Sequence, residues 1–390
     1  MKAAVIVGRA LLVLLSAAVL VASGYGWSTL KRVQESVNTT DVLAELSDVP
    51  NAPPVADGAT DILLVGSDSR TDAQGRPLPD QVLRQLRTEA TDTLNTDTII
   101  VMRVPHNGGK AHAVSIPRDT YVPIPDHREE KINSAYGVTK FFTMERLARE
   151  GVSDLTERSR QGDQAGRRAL VQVVQDLTGV RVDHYAEINL YGFYLLTEVI
   201  GGVDVCLKQA TSDPDSGANF RAGVQSISGG DALAFVRQRK GIPNGDLGRI
   251  TRQQVFMSAA MSKLMSAGTL TDPARLSGLL DAVSKSIVVD EKLDLATFAS
   301  QARGLAGGNV EFGTIPVTGV GARNDRGQSI VTVDPAQVKA YVAQLLGEKT
   351  TTQTPTPTTT PTQKFGGDRL VSLDGRPRAA AALQGPPCVD

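Results

Sequence analysis

Residues 95–119 read NTDTIIVMRVPHNGGKAHAVSIPRD, and this stretch decides the fold. Its two apolar runs, 98–104 and 111–116, have the length and residue types of buried strands. Between them stands Asn107-Gly108-Gly109, and Asn-Gly is a strong signal for a tight hairpin turn. The stretch therefore predicts two antiparallel neighbours within a sheet, with polar residues at the outer ends of both.

Outward from this hairpin, strand-like and helix-like segments alternate. Residues 61–66 (DILLVG) form another short apolar run that ends in Gly, as a buried strand would. Apolar residues at helical spacing predict a helix over 164–177 with its stop at Gly179. Further segments are predicted as a helix at 249–265, strands at 310–317 and 329–333, and a helix at 335–346. This mixture in one continuous stretch predicts α/β or α+β layering.

The N-terminal region contains a predicted membrane segment. Residues 10–27 are uncharged and apolar over nearly the length that spans a bilayer, after a short N-terminus at 1–9 that we expect in the cytoplasm. Tyr25 and Trp27 stand where an interfacial aromatic belt would lie. An uncleaved single-pass anchor is the favoured interpretation, and a cleaved signal peptide is the alternative. Both place the remaining chain outside the cytoplasm.

The remaining chain divides by composition. Residues 28–58 are polar and predict a juxtamembrane stalk, 59–349 the folded domain, and 350–390 a Thr/Pro-rich linker and tail, whose composition cannot bury a core. The chain has two cysteines, Cys206 and Cys388. Outside the cytoplasm such a pair predicts one disulfide, the alternative being two free thiols.

Several function classes lack support. The formal net charge is −1, which does not suggest the basic surface that nucleic acid requires. The sequence has no G-x-S-x-G elbow, Walker A loop or H-E-x-x-H motif. Hydrolysis by an activated serine, P-loop phosphate binding and zinc proteolysis are therefore not indicated.

What remains is a set of acids, arginines and a few other polar residues at predicted strand ends and helix starts. Guanidinium groups bind phosphate oxygens in a two-pronged way, and several together suit a pyrophosphate. Paired aspartates suit Mg²⁺, which prefers oxygen ligands and bridges phosphates. Residues beyond strand ends converge on one crevice. The candidates are Asp68, Arg70, Asp97, Arg118, Asp119, Lys131, Arg237, Arg239, Asp246, Arg249 and Gln253.

Each candidate also has an ordinary explanation. Asp68 and Asp97 could cap a turn or a helix. Arg237 and Arg239 are two residues apart, so on an extended segment they would share one side, as a solvated basic edge also does. Arg249 and Gln253 share one helix face, whereas we expect Arg252 to point towards solvent.

At these segments the sequence resembles the LytR-CpsA-Psr family of bacterial cell-wall enzymes. The resemblance covers about residues 61–264 and is specific in GSDSR (66–70), NTDTI (95–99), SIPRD (115–119), KINSAYG (131–137) and a late block that includes GGVDVCL (201–207), GGDALAFVRQR (229–239) and GDLGRITRQQ (245–254). It implies a mixed central sheet with helices on both sides and an apolar pocket that holds a polyprenyl chain.

The resemblance also implies an activity: transfer of a phosphorylated glycan from polyprenyl pyrophosphate to a peptidoglycan hydroxyl. Asp68 and Asp97 correspond to ligands of Mg²⁺ (or Mn²⁺), and with Arg118 and Asp246 they are the predicted catalytic residues. Pyrophosphate binding is predicted for Arg70, Arg118, Lys131, Arg237, Arg239, Arg249 and Gln253. The predicted partners are the lipid-linked glycan, peptidoglycan and the cell membrane, with the catalytic domain extracytoplasmic.

Two other functions fit the same residues. A polyprenyl-pyrophosphate pyrophosphatase would use water in place of the sugar hydroxyl. A non-catalytic lipid- or glycan-binding regulator of the envelope would tolerate loss of Asp68 and Asp97.

Overall fold

The structure is a computed structural model that describes residues 37–44, 46, 58–72, 75–89, 94–264, 273–294, 310–345 and 386–390. The predicted membrane segment at 10–27 and the Thr/Pro-rich run at 350–362 lie outside these ranges. Over the described ranges, no helix combines the length and the apolar character needed to cross a bilayer.

The secondary structure alternates as the sequence predicts. The strands are β1 (Asn38–Thr40), β2 (Ala59–Ser67), β3 (Thr96–Pro105), β4 (Ala111–Ser115), β5 (Tyr121–Pro123), β6 (Glu129–Lys131), β7 (His184–Asn189), β8 (Val203–Leu207), β9 (Thr211–Asp213), β10 (Ala218–Phe220), β11 (Gly223–Ile227), β12 (Ile287–Asp290), β13 (Val310–Thr314), β14 (Gly319–Arg323), β15 (Ser329–Thr332) and β16 (Cys388–Val389). The helices are α1 (Asp80–Gln85), α2 (Ala135–Arg149), α3 (Leu155–Thr178), α4 (Leu190–Val199), α5 (Gly229–Arg237), α6 (Asp246–Leu264), α7 (Pro273–Ser286) and α8 (Pro335–Leu345).

A seven-stranded sheet in the order β1-β12-β7-β2-β3-β4-β13 forms the centre of the molecule. The predicted hairpin is confirmed, because β3 pairs antiparallel with β4. β2 runs antiparallel to β3 and parallel to β7, and β13 runs parallel to β4. The sheet is therefore mixed, as predicted.

Side chains alternate between the two faces of this sheet, and helices cover both. On one face Leu63, Val65 and Val101 pack against α3 and α8. On the other face Ile100 and Met102 pack with methionines of α6. The apolar runs lack a polar alternation because both faces are buried.

Helix α3 is longer than the sequence predicts. It begins at Leu155 rather than at residue 164, and Asp154 caps it by accepting a hydrogen bond from the Thr156 N–H at 2.9 Å. Its first turns carry mostly polar residues, so apolar periodicity does not reveal them. The helix ends where predicted, at Gly179 in the left-handed conformation (φ 76°).

Both ends of the chain contribute to the folded domain. Asn38–Thr40, within the segment predicted as a stalk, forms the edge strand β1 beside β12. At the other end, β16 lies parallel to β8. Val389 is buried in an apolar cluster that includes Val205 of β8 and Phe235 of α5. Cys206 and Cys388 form a disulfide with their Cα atoms 4.3 Å apart. The terminal residues are thus a structural part of the domain.

Replacing Cys388 with Ser is expected to lower the free energy of unfolding by about 2–4 kcal/mol, since the disulfide closes a long loop in the unfolded chain. Denaturant titration of the variant measures the loss. Reduction of the unmodified protein with dithiothreitol serves as the control and should give a similar loss. An unchanged unfolding midpoint in both would contradict a stabilising role.

Candidate functional site

The candidate site forms where the strands of the central sheet end or begin, on one side of the sheet, and this side is called the sheet edge below. Because β2 and β3 are antiparallel, the end of β2 lies beside the start of β3, with Ser67 opposite Thr96. Because β3 and β4 are also antiparallel, β4 ends at the same edge. Asp68 follows β2, Asp97 is the second residue of β3, and Arg118 follows β4, so the topology brings together residues that are distant in sequence.

A buried cluster of four charged side chains lies at this edge. The Arg118 Nη1 donates to Asp97 Oδ2 at 2.6 Å, and its Nε lies 3.4 Å from Asp246 Oδ1. From the first turns of α6, Arg249 places Nη2 2.9 Å from Asp246 Oδ1 and Nη1 3.8 Å from Asp97 Oδ2. Only 2% of Arg249 is exposed. Two predicted arginines and two predicted acids therefore share one site.

Two further predicted cations join this cluster from its solvent side. Arg239 Nε lies 3.6 Å from Asp246 Oδ1, and its side chain is half exposed. Lys131 Nζ donates to Asp119 Oδ1 at 2.9 Å, while Asp119 Oδ2 lies 4.0 Å from both Arg118 Nε and Arg239 Nη2. Asp119 thus links three cations of the site. The sequence analysis assigned it no role, although its place directly after Arg118 was the available signal.

A second group lies where β2 ends. Asp68 Oδ1 accepts a hydrogen bond from the Asn95 N–H at 3.0 Å. Arg70 turns back towards Asp68, with Nη1 3.4 Å from Asp68 Oδ2 and a hydrogen bond to the Asp68 carbonyl. Arg237, at the end of α5, donates to the Leu86 carbonyl at 3.3 Å. Among the described residues Arg237 forms no ion pair with a carboxylate.

A cavity of about 350 Å³ connects the two groups. One end carries Asp68, Asp97, Arg237, Arg249 and Gln253. The rest of its wall is mostly apolar and includes Leu64, Ile188, Leu190, Phe193, Leu233, Val236, Phe256, Met257, Ala260 and Ile287. Four polar residues, Ser67, Thr98, Glu187 and Asn189, also line it. The cavity therefore has a charged end and an apolar body. The sequence analysis named none of these wall residues, since each reads as ordinary core.

Burial and neighbouring charges shift the pKa values in opposite directions for the two acids. Burial raises the pKa of Asp68, and the nearby backbone N–H and Arg70 only partly oppose this. Burial also acts to raise the pKa of Asp97, but Arg118 and Arg249 outweigh it and hold that pKa below the ordinary value. Burial and the charge of Arg70 lower the pKa of Arg237. Asp97 and Asp68 oppose this lowering only in part.

Two local predictions are wrong. Arg252 does not point towards solvent: it is fully buried, and Nη1 donates to Gln238 Oε1 at 2.6 Å. Arg237 and Arg239 do not lie on one extended edge, because Arg237 is still helical and the extended backbone begins at Gln238. Arg237 consequently enters the cavity, while Arg239 faces Asp246.

The donor chemistry at the charged end suits a hard cation. Across the described part of the chain, no three acidic, histidine or cysteine side chains group together as ligands for one metal ion. Asp68 and Asp97 nevertheless open on the same cavity. Mg²⁺ takes one or two carboxylates and completes its coordination with water and phosphate oxygens. The two acids therefore fit a metal that is bound together with a phosphate.

Comparison with known proteins defines the class. The LytR_cpsA_psr family profile matches residues 27–346, so the chain belongs to the LytR-CpsA-Psr family. It is 47% identical over 340 residues to the cell wall biosynthesis protein LcpA of Corynebacterium glutamicum, covering 87% of this chain and 65% of LcpA. The chain thus spans just under two thirds of the length of that relative.

A second relative and a solved structure are also similar to this chain. The polyisoprenyl-teichoic acid–peptidoglycan teichoic acid transferase TagU of Oceanobacillus iheyensis is 30% identical over 263 residues, covering 67% of this chain and 68% of TagU. The crystal structure of B. subtilis TagV has the same fold, with a TM-score of 0.52 and 19% identity over 75% of this chain and 99% of TagV.

Neutralising the two acids is expected to change stability in opposite directions. Asp68→Asn should raise the Tm at pH 7, because the raised folded-state pKa means that the ionised carboxylate destabilises the fold above that pKa. Asp97→Asn should lower the Tm at pH 7, because its lowered pKa stabilises the fold above the ordinary value of 3.8.

Thermal melts from pH 7 down to pH ~3 check this. Both differences from the unsubstituted protein should shrink on acidification, as the carboxyls become protonated in the folded and unfolded states. Two variants that shift Tm in the same direction would show that the assigned electrostatic environments are incorrect.

Proposed function

We propose that this protein is a phosphotransferase that moves a phosphorylated glycan from a polyprenyl-pyrophosphate carrier to a hydroxyl of peptidoglycan. One observation carries the proposal: the cavity with an apolar body ends at a cluster of guanidinium groups and two carboxylates. A lipid pyrophosphate has this same division into an apolar chain and a strongly anionic head. TagU, whose name describes such a transfer from a polyisoprenyl carrier, supports the acceptor assignment.

The arginines supply the recognition of the anionic head. Arg237 has no carboxylate partner among the described residues and enters the cavity beside Arg70. Burial makes such a cation costly unless an anion joins it. A pyrophosphate between Arg237, Arg70 and Arg249 would offset that cost, and guanidinium groups bind its oxygens in a planar, two-pronged way.

Arg118, Arg239 and Lys131 extend the positive charge towards solvent, where the glycan leaves the cavity. Arg118 is held by Asp97 and Asp246, and Lys131 by Asp119. These ion pairs fix the cations before the substrate arrives. Such preorganised charge stabilises a phosphoryl-transfer transition state without reorganisation during the reaction.

In the proposed reaction, the acceptor hydroxyl attacks the phosphorus that bears the glycan. A new phosphate ester forms with the acceptor, the bond to the bridging oxygen breaks, and polyprenyl monophosphate leaves. The hydroxyl proton passes to a base. Asp97 is poorly suited to this role because Arg118 and Arg249 hold its pKa low. Asp246 keeps Arg118 and Arg249 in place.

Asp68 and Asp97 would hold Mg²⁺, or Mn²⁺, at the charged end of the cavity. When bound, the metal would neutralise charge on the pyrophosphate oxygens. Gln253 also lines this end, with its side-chain amide donating to the Val236 carbonyl at 3.2 Å. The chain works as a single-pass cell-membrane protein with its catalytic domain outside the cytoplasm, where both the lipid carrier and peptidoglycan are accessible.

Replacing Arg237 with Ala is expected to reduce transfer about 10²–10³-fold, because a preorganised cation is lost at the reacting phosphates. Arg118→Ala should have a comparable effect on activity but also a lower Tm, since Asp97 and Asp246 each lose a partner. Incorporation of radiolabelled glycan into peptidoglycan measures transfer, with phosphate release followed in parallel.

The matched control is Arg146→Ala, which removes an exposed arginine that pairs with Glu150 on α2. It should transfer at the normal rate. Normal transfer by Arg237→Ala would contradict the proposed site. Phosphate release without glycan incorporation by the unsubstituted protein would favour a pyrophosphatase.

Removal of divalent metal with EDTA is expected to abolish transfer, and added Mg²⁺ or Mn²⁺ should restore it. Asp68→Asn and Asp97→Asn should each raise the metal concentration needed for half-maximal activity. Full activity after exhaustive chelation would argue against a metal at these acids.

A further inference from the structure

Arg237 and Arg239 lie in a short segment, residues 237–240. Buried polar side chains hold this segment on the side away from the cavity. Helix α5 ends at Arg237, and Gln238 is extended, with φ −56° and ψ 134°. This single change of conformation sends Arg237 into the cavity and Arg239 towards Asp246. Whatever holds Gln238 therefore sets the positions of both arginines.

Gln238 is fully buried, and its side chain makes three hydrogen bonds. Nε2 donates to Thr211 Oγ1 at 2.5 Å and to the Lys240 carbonyl at 2.8 Å. Oε1 accepts from Arg252 Nη1 at 2.6 Å. Asp213, also buried, accepts from the N–H groups of Arg239 and Lys240 at 3.2 and 3.3 Å. The backbone and side chain of this segment are thus both held.

Arg252 provides the link between this segment and the C-terminal residues. Its exposure is 0%, and its guanidinium lies 5.1 Å from the centre of the Phe235 ring. Nε donates to the main-chain oxygen of Asp390 at 2.6 Å, while Nη1 donates to Gln238. The two donors diverge in a way that the single ammonium of lysine cannot reproduce. Burial lowers the pKa of Arg252 to about 10, so it remains charged at neutral pH.

We propose that Arg252 is a positioning residue of the phosphate site: it holds Gln238 between Arg237 and Arg239 and is itself held by the C-terminal residue Asp390. The inference rests on the proposed function, in which those two arginines bind the pyrophosphate. It adds to the site a residue that faces away from the cavity, and it gives the docked segment 386–390 a role in substrate binding. The effect is geometric, because Arg252 itself is not among the residues that line the cavity.

Binding of farnesyl pyrophosphate to the full chain in detergent, measured by calorimetry, tests the inference. Arg252→Met removes both donors and should weaken binding about tenfold, since misplaced binding groups lose affinity steeply. Gln238→Met breaks the same link from the other side and should weaken binding similarly, so it decides the question if Arg252→Met fails to fold.

The matched control is Lys208→Met. Lys208 contacts the same terminal residue, through Asp390 Oδ2 at 3.0 Å, but on the exposed surface and away from Gln238. The affinity of the Lys208→Met variant for farnesyl pyrophosphate should stay within about twofold of that of the unsubstituted protein, since distant sites usually act independently to about this accuracy. An equal loss in Lys208→Met would mean that docking of the tail in general, and not Arg252, sets the affinity.

A double-mutant cycle on the background Arg237→Ala/Arg239→Ala separates positioning from general stabilisation. If Arg252 acts through these two arginines, adding Arg252→Met to that background should weaken binding by less than about twofold more, whereas an independent structural effect would be fully additive. Unchanged affinity in folded Arg252→Met or Gln238→Met, or full additivity, overturns the inference. Failure of the unsubstituted protein to bind farnesyl pyrophosphate would instead count against the proposed function.

Discussion

The site depends on the pairing of opposite charges among side chains that have little access to water. Arg118, Arg249, Asp97 and Asp246 lie at the sheet edge with little exposure, and each contacts an opposite charge. Removing such charges from water costs several kcal/mol per ion unless they are paired. The pairs are therefore mutually dependent, and they form only when the sheet edge and the start of α6 meet. Arg237, which forms no ion pair with a carboxylate among the described residues, is the cation to which the proposed function assigns binding of an anion.

The sheet keeps this charged edge separate from two apolar regions. Alternation along β2 sends Leu63 and Val65 into the main core and Leu64 into the cavity. One strand thus contributes to the main core with one set of side chains and to the cavity wall with the next. The charged end begins where the strand ends, so the boundary between the apolar and anionic parts of a ligand is set by strand length.

The sequence predicted the frame well where local signals were strong. Asn107-Gly108-Gly109 identified the β3–β4 hairpin, and Gly179 marked the end of α3. It failed where local pattern and tertiary environment disagree. The first turns of α3 carry mostly polar residues and therefore look like a surface segment. In the structure they pair with α2. Arg252 was assigned to solvent because an arginine is rarely buried without partners, and its partners, Gln238 and Asp390, lie 14 and 138 residues away.

The sequence by itself determined the chemical inventory: acids and arginines near predicted strand ends, two cysteines, and motifs that resemble one family. These features are readable because turn chemistry, periodicity and residue type act over a few neighbouring positions. Only the tertiary structure decided that Asp97 pairs with Arg118, that Asp119 joins three cations, and that Arg252 reaches the terminal residue. Those relations depend on strand order and on helices that cross the sheet edge, and such long-range packing leaves no local pattern in the chain.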